Sequence, residues 1–111
     1  MKIKVRKKGK VQILELRGNL TGDGEMEQKV REVLEAGGRL FIFNMAEVPF
    51  IDSVGLCQTI SCTKRIRERG GSVKLMLADG GKVQEILKIT GLDKVYDIFS
   101  DEEEAIASWI S

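Results

Sequence analysis

The sequence predicts an α/β fold: a mixed, mostly parallel β-sheet with an N-terminal hairpin and four helices. Three observations carry that prediction. Two alternating apolar segments, residues 3–5 and 11–16, flank Gly9-Lys10, the pattern of a hairpin with one wet face. Beyond them, helical periodicities alternate with short apolar runs, which implies strand–helix–strand units joined by right-handed crossovers. The run Leu40-Phe41-Ile42-Phe43-Asn44-Met45 is almost continuously apolar, as expected of a strand covered on both faces at the centre of a sheet.

The elements follow in the order β-β-α-β-α-β-α-β-α. Ile3 and Val5 alternate with Lys2, Lys4 and Arg6, and Val11, Ile13, Leu14 and Leu16 form the return strand. Gly18-Asn19-Leu20-Thr21-Gly22-Asp23-Gly24 is a loop. Met26, Val30, Val33 and Leu34 make the apolar stripe of a helix from about 24 to 36, stopped by Gly37-Gly38. After the central strand, Pro49 holds Val48 extended. A second helix runs from about 53 to 69, with Leu56, Cys57, Ile60, Thr63 and Ile66 inward and Lys64, Arg65, Arg67, Glu68 and Arg69 in water. Val73, Leu75 and Leu77 alternate as a strand. Asp79-Gly80-Gly81 then leads into a helix with Val83, Ile86, Leu87 and Thr90 inward, ended by Gly91. Residues 95–99 read as a last strand. Ser100-Asp101-Glu102-Glu103 starts a final helix, its acids placed for the dipole, with Ala105, Ile106, Trp109 and Ile110 on one side. No linker, repeat or low-complexity segment interrupts the 111 residues, and a single domain over 1–111 is expected.

Composition narrows the chemistry. Eighteen basic and 17 acidic residues give a net charge of +1, which offers no global attraction to nucleic acid or membrane. The basic start, residues 1–10, has no apolar run of signal-peptide length, and no segment reaches the roughly 20 apolar residues of a membrane span. A cytoplasmic location is expected. Histidine is absent, which removes Ser-His-Asp and Cys-His nucleophile systems and the usual zinc sites. Gly22-Asp23-Gly24 and Gly80-Gly81-Lys82 lack the remainder of a nucleotide-binding fingerprint and read as turns. No cofactor, metal or catalytic residue is expected. Cys57 and Cys62 lie about 140° apart around one helix, too divergent for a disulfide, and are expected as buried free thiols.

The sharpest local feature is Asp52-Ser53-Val54-Gly55-Leu56, where an apolar strand gives way to a helix. Ser53 reads as the helix N-cap, its hydroxyl exposed at the positive end. A phosphate is tolerated there, because free N–H groups and the dipole both favour an anion. From the residues alone, Ser53 is either a cap or a place to write a charge. Asp52 either orients the serine or is a turn acid near the dipole. The basic run from Lys64 to Arg69 is a solvated helix end, since no aromatic residues interleave with it as nucleic-acid binding would want. The Ile106-Trp109-Ile110 stripe is core packing or a docking helix.

Element order and motif together resemble the sulfate-transporter and anti-sigma-factor-antagonist (STAS) family, and most of all its free-standing bacterial anti-sigma factor antagonists. The resemblance runs from Ile3 to Trp109. Val48-Pro49-Phe50-Ile51-Asp52-Ser53-Val54-Gly55-Leu56 is similar to the family's Phe-hydrophobic-Asp-Ser-x-Gly-Leu signature. Leu16-Arg17-Gly18-Asn19-Leu20 resembles the strand and Gly-x-Leu turn before the first helix. Arg69-Gly70-Gly71-Ser72-Val73 resembles a later turn. Thr21 stands where the family usually has Asp, with Asp23 the nearby acid that can take its place. Asn44 stands where the central strand often has Asp, and Val54 where a small polar residue is common.

What the resemblance implies is a binding protein under phosphorylation control. Ser53 is the phosphorylated residue. Unmodified, the protein binds an anti-sigma factor, often itself the serine kinase, and frees a sigma factor. Phosphorylation abolishes binding and a serine phosphatase restores it. The partner surface is expected at Asp52, Ser53, Val54, Gly55, Asn19, Thr21 and Asp23, with the exposed side of the second helix. No direct nucleic-acid contact and no membrane insertion are expected, and a monomer precedes partner binding. A scaffold subunit of a stress-sensing or lipid-transport complex is one alternative; a small-molecule binder or enzyme on the same fold is another.

Overall fold

The computed structural model describes residues 1–22 and 24–109. Strands β1 (Lys2–Lys8) and β2 (Val11–Arg17) form the expected hairpin. Then come α1 (Glu25–Glu35), β3 (Leu40–Glu47), α2 (Ser53–Glu68), β4 (Ser72–Met76), α3 (Lys82–Thr90), a 3₁₀ turn (Leu92–Lys94), β5 (Asp97–Phe99) and α4 (Glu102–Ala107). The five strands lie in the order β1-β2-β3-β4-β5. β1 pairs antiparallel with β2, and every later pairing is parallel.

Alternation along the strands sorts side chains into two layers. Leu14, Leu16, Phe41, Phe43, Met45, Val73 and Leu75 point to one face, where α1, α2 and α3 cover them through Met26, Val30, Leu34, Cys62, Ile66, Val83 and Leu87. Val11, Ile13 and Ile42 point to the other, where Ala105, Ile106 and Trp109 cover them. Phe41, Ile42 and Phe43 are therefore all fully buried, as the continuous apolar run of β3 requires. Trp109 also donates from Nε1 to Ser72 Oγ at 3.2 Å, and Lys74 places its ammonium 4.8 Å from the Trp109 ring centroid. The indole is thus a packing element; Ile110 lies outside the described residues.

The carboxy-terminal third departs from the sequence pattern. Only Asp97–Phe99 is strand. Val95 is exposed, and Tyr96 turns back into the core so that its hydroxyl meets Thr63 Oγ1 at 2.8 Å. Thr90 is exposed rather than inward, and its hydroxyl donates to the Ile86 carbonyl at 2.8 Å. α4 begins at Glu102, capped by the Asp101 side chain, which accepts from the Glu103 amide at 3.0 Å.

Candidate functional site

The site is built where β3 runs out and α2 begins. After Glu47 the chain turns through Val48 and Pro49, and buried Ile51 forms an isolated parallel bridge with Leu20. Two backbone bonds reinforce it. The Leu20 amide donates to Phe50 O at 2.9 Å, and the Asp52 amide donates to Leu20 O at 3.2 Å. The loop after β2 is thereby stitched to the segment before α2. Two glycines permit the contact. A Cβ on Gly55 would sit 2.1 Å from the Leu20 carbonyl oxygen. Gly22, at φ +83°, lies so close to Val54 that a Cβ would fall 2.3 Å from Val54 Cγ1.

The N-cap is Asp52, not Ser53. Asp52 has extended backbone (φ −96°, ψ −178°), and its Oδ1 accepts from the Gly55 amide at 2.8 Å. That satisfies one of the free amides at the helix start. Ser53 is already helical and is the first residue of α2. Its hydroxyl is exposed and has no hydrogen-bond partner among the described residues. The first turn of α2 contains no acid, and Arg65 and Arg67 lie in its last turn. Within α2 itself the positive end of the dipole meets no acid, and the Asp52 carboxylate caps it.

Val54, 52% exposed, and Phe50, 46% exposed, stand as apolar shoulders beside Ser53. Asn19 and Thr21 are exposed on the stitched loop. The structure thus brings Asn19, Thr21, Asp52, Ser53 and Val54 to one end of the sheet. Gly55 is different: it is buried beneath Leu20 and shapes the site without reaching its surface. Asp23 lies outside the described residues. Asn44 faces away, on the α4 side of the sheet, where its Oδ1 accepts from the Ala46 amide at 3.1 Å.

Below Ser53 the outer face of α2 carries Cys57, Ile60 and Lys64, all exposed. Of the residues read as inward on α2, Thr63 and Ile66 are buried and Leu56 packs half-buried against the core, but Cys57 and Ile60 are exposed. The buried stripe is Gly55, Thr59, Cys62, Thr63 and Ile66. The reason is that the two threonines satisfy their hydroxyls internally. Thr59 donates to Gly55 O at 3.0 Å and Thr63 to Thr59 O at 2.9 Å. Polar residues so bonded can occupy core positions, which leaves Cys57 and Ile60 on the outer face. Of the two thiols only Cys62 is buried. Burial, with Glu27 nearby, pushes its pKa up to about 11, while Arg65 acts the other way.

A groove of about 340 Å³ continues this face between α2 and the 3₁₀ turn, lined by Ile60, Thr63, Lys64, Arg67, Val95 and Tyr96. Phe50, Cys57 and this groove are the parts that periodicity did not reveal. No group of three or more His, Cys, Asp or Glu among the described residues could hold a metal. Chemically, the arrangement presents an exposed hydroxyl at a helix amino end, unbonded among the described residues and flanked by apolar shoulders.

A profile of the STAS domain matches residues 2–105. The chain belongs to the STAS domain family. No curated protein sequence matches it significantly. Among solved structures, this STAS domain is similar to a candidate anti-sigma factor antagonist from Thermotoga maritima (TM-score 0.82, 24% identity, covering 96% of this chain and 92% of that one). An anti-sigma factor antagonist from Mycobacterium paratuberculosis gives the same TM-score and coverage at 17% identity. The Bacillus cell fate determinant SpoIIAA in its phosphorylated form matches at TM-score 0.72 and 20% identity, covering 96% and 98%. At these identities the likeness is one of fold. No helix among the described residues is long and apolar enough to cross a membrane.

Proposed function

We propose that this STAS domain is an anti-sigma factor antagonist, a non-enzymatic partner-binding switch controlled by phosphorylation of Ser53. The observation that carries the reading is the Ser53 hydroxyl itself: exposed, unbonded within the described residues, and set at the amino end of α2 beside Val54 and Phe50. The family membership and the likeness to SpoIIAA, a protein solved in phosphorylated form, support it. The partner is an anti-sigma factor that is also a serine kinase, docking on the loop with Asn19 and Thr21, on Ser53 and Val54, and along the outer face of α2. A serine phosphatase resets the switch.

The electrostatics favour a switch that needs no change of shape. A phosphate adds about −1.5 to −2 charges. At the amino end of α2 it meets the positive dipole end, worth about 0.3–1 kcal/mol to the fold. A partner carboxylate about 6 Å away meets repulsion of about 3 kcal/mol per unit charge at an effective dielectric near 20. That is roughly a hundredfold in affinity.

The test is calorimetric titration of wild type, Ser53→Asp and Ser53→Ala against the anti-sigma kinase that co-purifies with the wild-type chain. Ser53→Asp is expected to bind about a hundredfold more weakly with its melting temperature unchanged or slightly raised, and Ser53→Ala to bind like wild type. Equal affinity of Ser53→Asp and wild type overturns the proposal and favours a permanent scaffold role.

A further inference from the structure

Charge is distributed unevenly along this chain. Six of its 18 basic residues and none of its acidic ones fall in residues 1–10; with a net charge of +1, the remainder of the chain carries −5. The six fall on one structural feature. β1 pairs with β2 on one side only and forms an edge of the sheet. Lys2, Lys4, Arg6 and Lys8 alternate on one face of it, Lys7 lies on the other, and Lys10 follows the hairpin turn. Arg6 is neutralised by ion pairs with Glu15 and Glu102. Lys2, Lys4, Lys7, Lys8 and Lys10 are exposed and make no ion pair among the described residues. At the hairpin end, Lys7 and Lys10 also border a hollow of about 300 Å³ with Gln12 and Arg39. The Arg39 guanidinium is engaged there, donating to Leu34 O and Gly38 O, so the ammonium groups are the uncommitted charges.

We propose that the β1 edge is an electrostatic docking surface for an anionic phospholipid membrane. The charges span about 20 Å of strand and point to both sides of it, which suits a broad negative surface better than a single buried carboxylate. All five are lysines, compact charges without the fork that reads a defined acceptor pair. Residues 1–17 contain no aromatic side chain, so a nucleobase finds no stacking platform. The acidic balance of the rest of the chain orients the domain with this edge toward the lipid. α1 packs against both β1 and α2 and separates the two, so a membrane on the β1 edge leaves Ser53 and the outer face of α2 uncovered. The proposal is independent of what Ser53 does.

Each lysine near an anionic surface contributes about fivefold to binding, an effect that fades beyond a Debye length of about 10 Å at 0.1 M salt. The experiment is co-sedimentation of the full chain with phosphatidylglycerol–phosphatidylcholine vesicles and with pure phosphatidylcholine vesicles, at low and high salt. Wild type is expected to pellet with the anionic vesicles only, and to be released at high salt. The triple variant Lys7→Glu, Lys8→Glu, Lys10→Glu is expected to lose at least about a hundredfold. The matching Lys→Arg triple retains binding, and Lys82→Glu with Lys88→Glu on α3 behaves as wild type. Failure of wild type to bind anionic vesicles at low salt overturns the proposal and leaves the lysines as guards of an open strand edge. Tighter binding to duplex DNA or to a polyglutamate peptide than to the vesicles at the same salt overturns it equally.

Discussion

The contact between Gly55 and Leu20 is the point at which the site depends most on a single hydrogen atom, and Gly55→Ala tests it. The added Cβ would lie 2.1 Å from the Leu20 carbonyl oxygen and 2.7 Å from its carbon, both backbone atoms. Relief requires the loop to retreat by about 1 Å, with an overpacking cost of about 1–3 kcal/mol. That retreat strains the two bonds of the stitch, Leu20 N to Phe50 O and Asp52 N to Leu20 O, each worth about 1 kcal/mol net. The sum is about 3–5 kcal/mol, a large share of an ordinary domain's stability. For a chain of this size it lowers the melting temperature by about 12–20 °C. Urea denaturation followed by the single tryptophan reads the cost, and amide exchange at Leu20 and Asp52 reads its location. Gly80→Ala is the control. It has positive φ (+73°) but nothing within 4 Å of the new Cβ, so only backbone strain of about 1–2 kcal/mol is expected. If Gly55→Ala is within about 0.5 kcal/mol of wild type, a change typical of a neutral surface substitution, the stitch is not what holds the site.

Three further outcomes follow from the same geometry. Asp52→Ala removes the α2 cap and costs about 1 kcal/mol, with Asp52→Asn close to wild type, in urea denaturation. Alkaline pH destabilises the fold through Cys62 and Tyr96, both raised by burial, Cys62 from 9.0 to about 11. The unfolded thiol loses its proton first, so stability is full well below pH 9 and is lost as pH rises through about 11, by about 2–3 kcal/mol in all for Cys62. Cys62→Ala makes that decline shallower, leaving Tyr96's part, and an unchanged slope contradicts the assignment. Lys74→Ala strips an ammonium that lies 5.5 Å from the Phe99 ring centroid and 4.8 Å from that of Trp109, together with its packed stem. About 2 kcal/mol is lost, with a shift in Trp109 emission that Lys88→Ala on the exposed side of α3 does not produce.

Element order, the hairpin, the doubly buried β3 and the placement of Ser53 at the start of α2 were all legible in the sequence, because each rests on local patterning. Two features were not. Assigning the cap requires knowing which of two adjacent cap-competent residues, Asp52 and Ser53, keeps extended backbone, and that is decided by the Leu20–Ile51 bridge some thirty positions apart. The inward face of α2 is legible at Leu56, Thr63 and Ile66 but not at Thr59, whose buried hydroxyl is satisfied within the helix by the Gly55 carbonyl. Hydrophobic periodicity weighs the residue type and cannot see such a bond. The same blindness hid the exposure of Cys57 and Ile60, and with it most of the outer face that the site offers. Tyr96 shows the reverse error: its neighbours read as strand, but the long-range bond to Thr63 shortens β5 to Asp97–Phe99.

Whether Ser53 is a switch is read by phosphopeptide mass spectrometry of this protein purified from its native cells under several growth conditions. Phosphate on Ser53 is expected, with occupancy that changes between conditions. Ser53 unmodified in every condition would contradict it, leaving the exposed hydroxyl as an ordinary first-turn serine on a domain that docks without a switch.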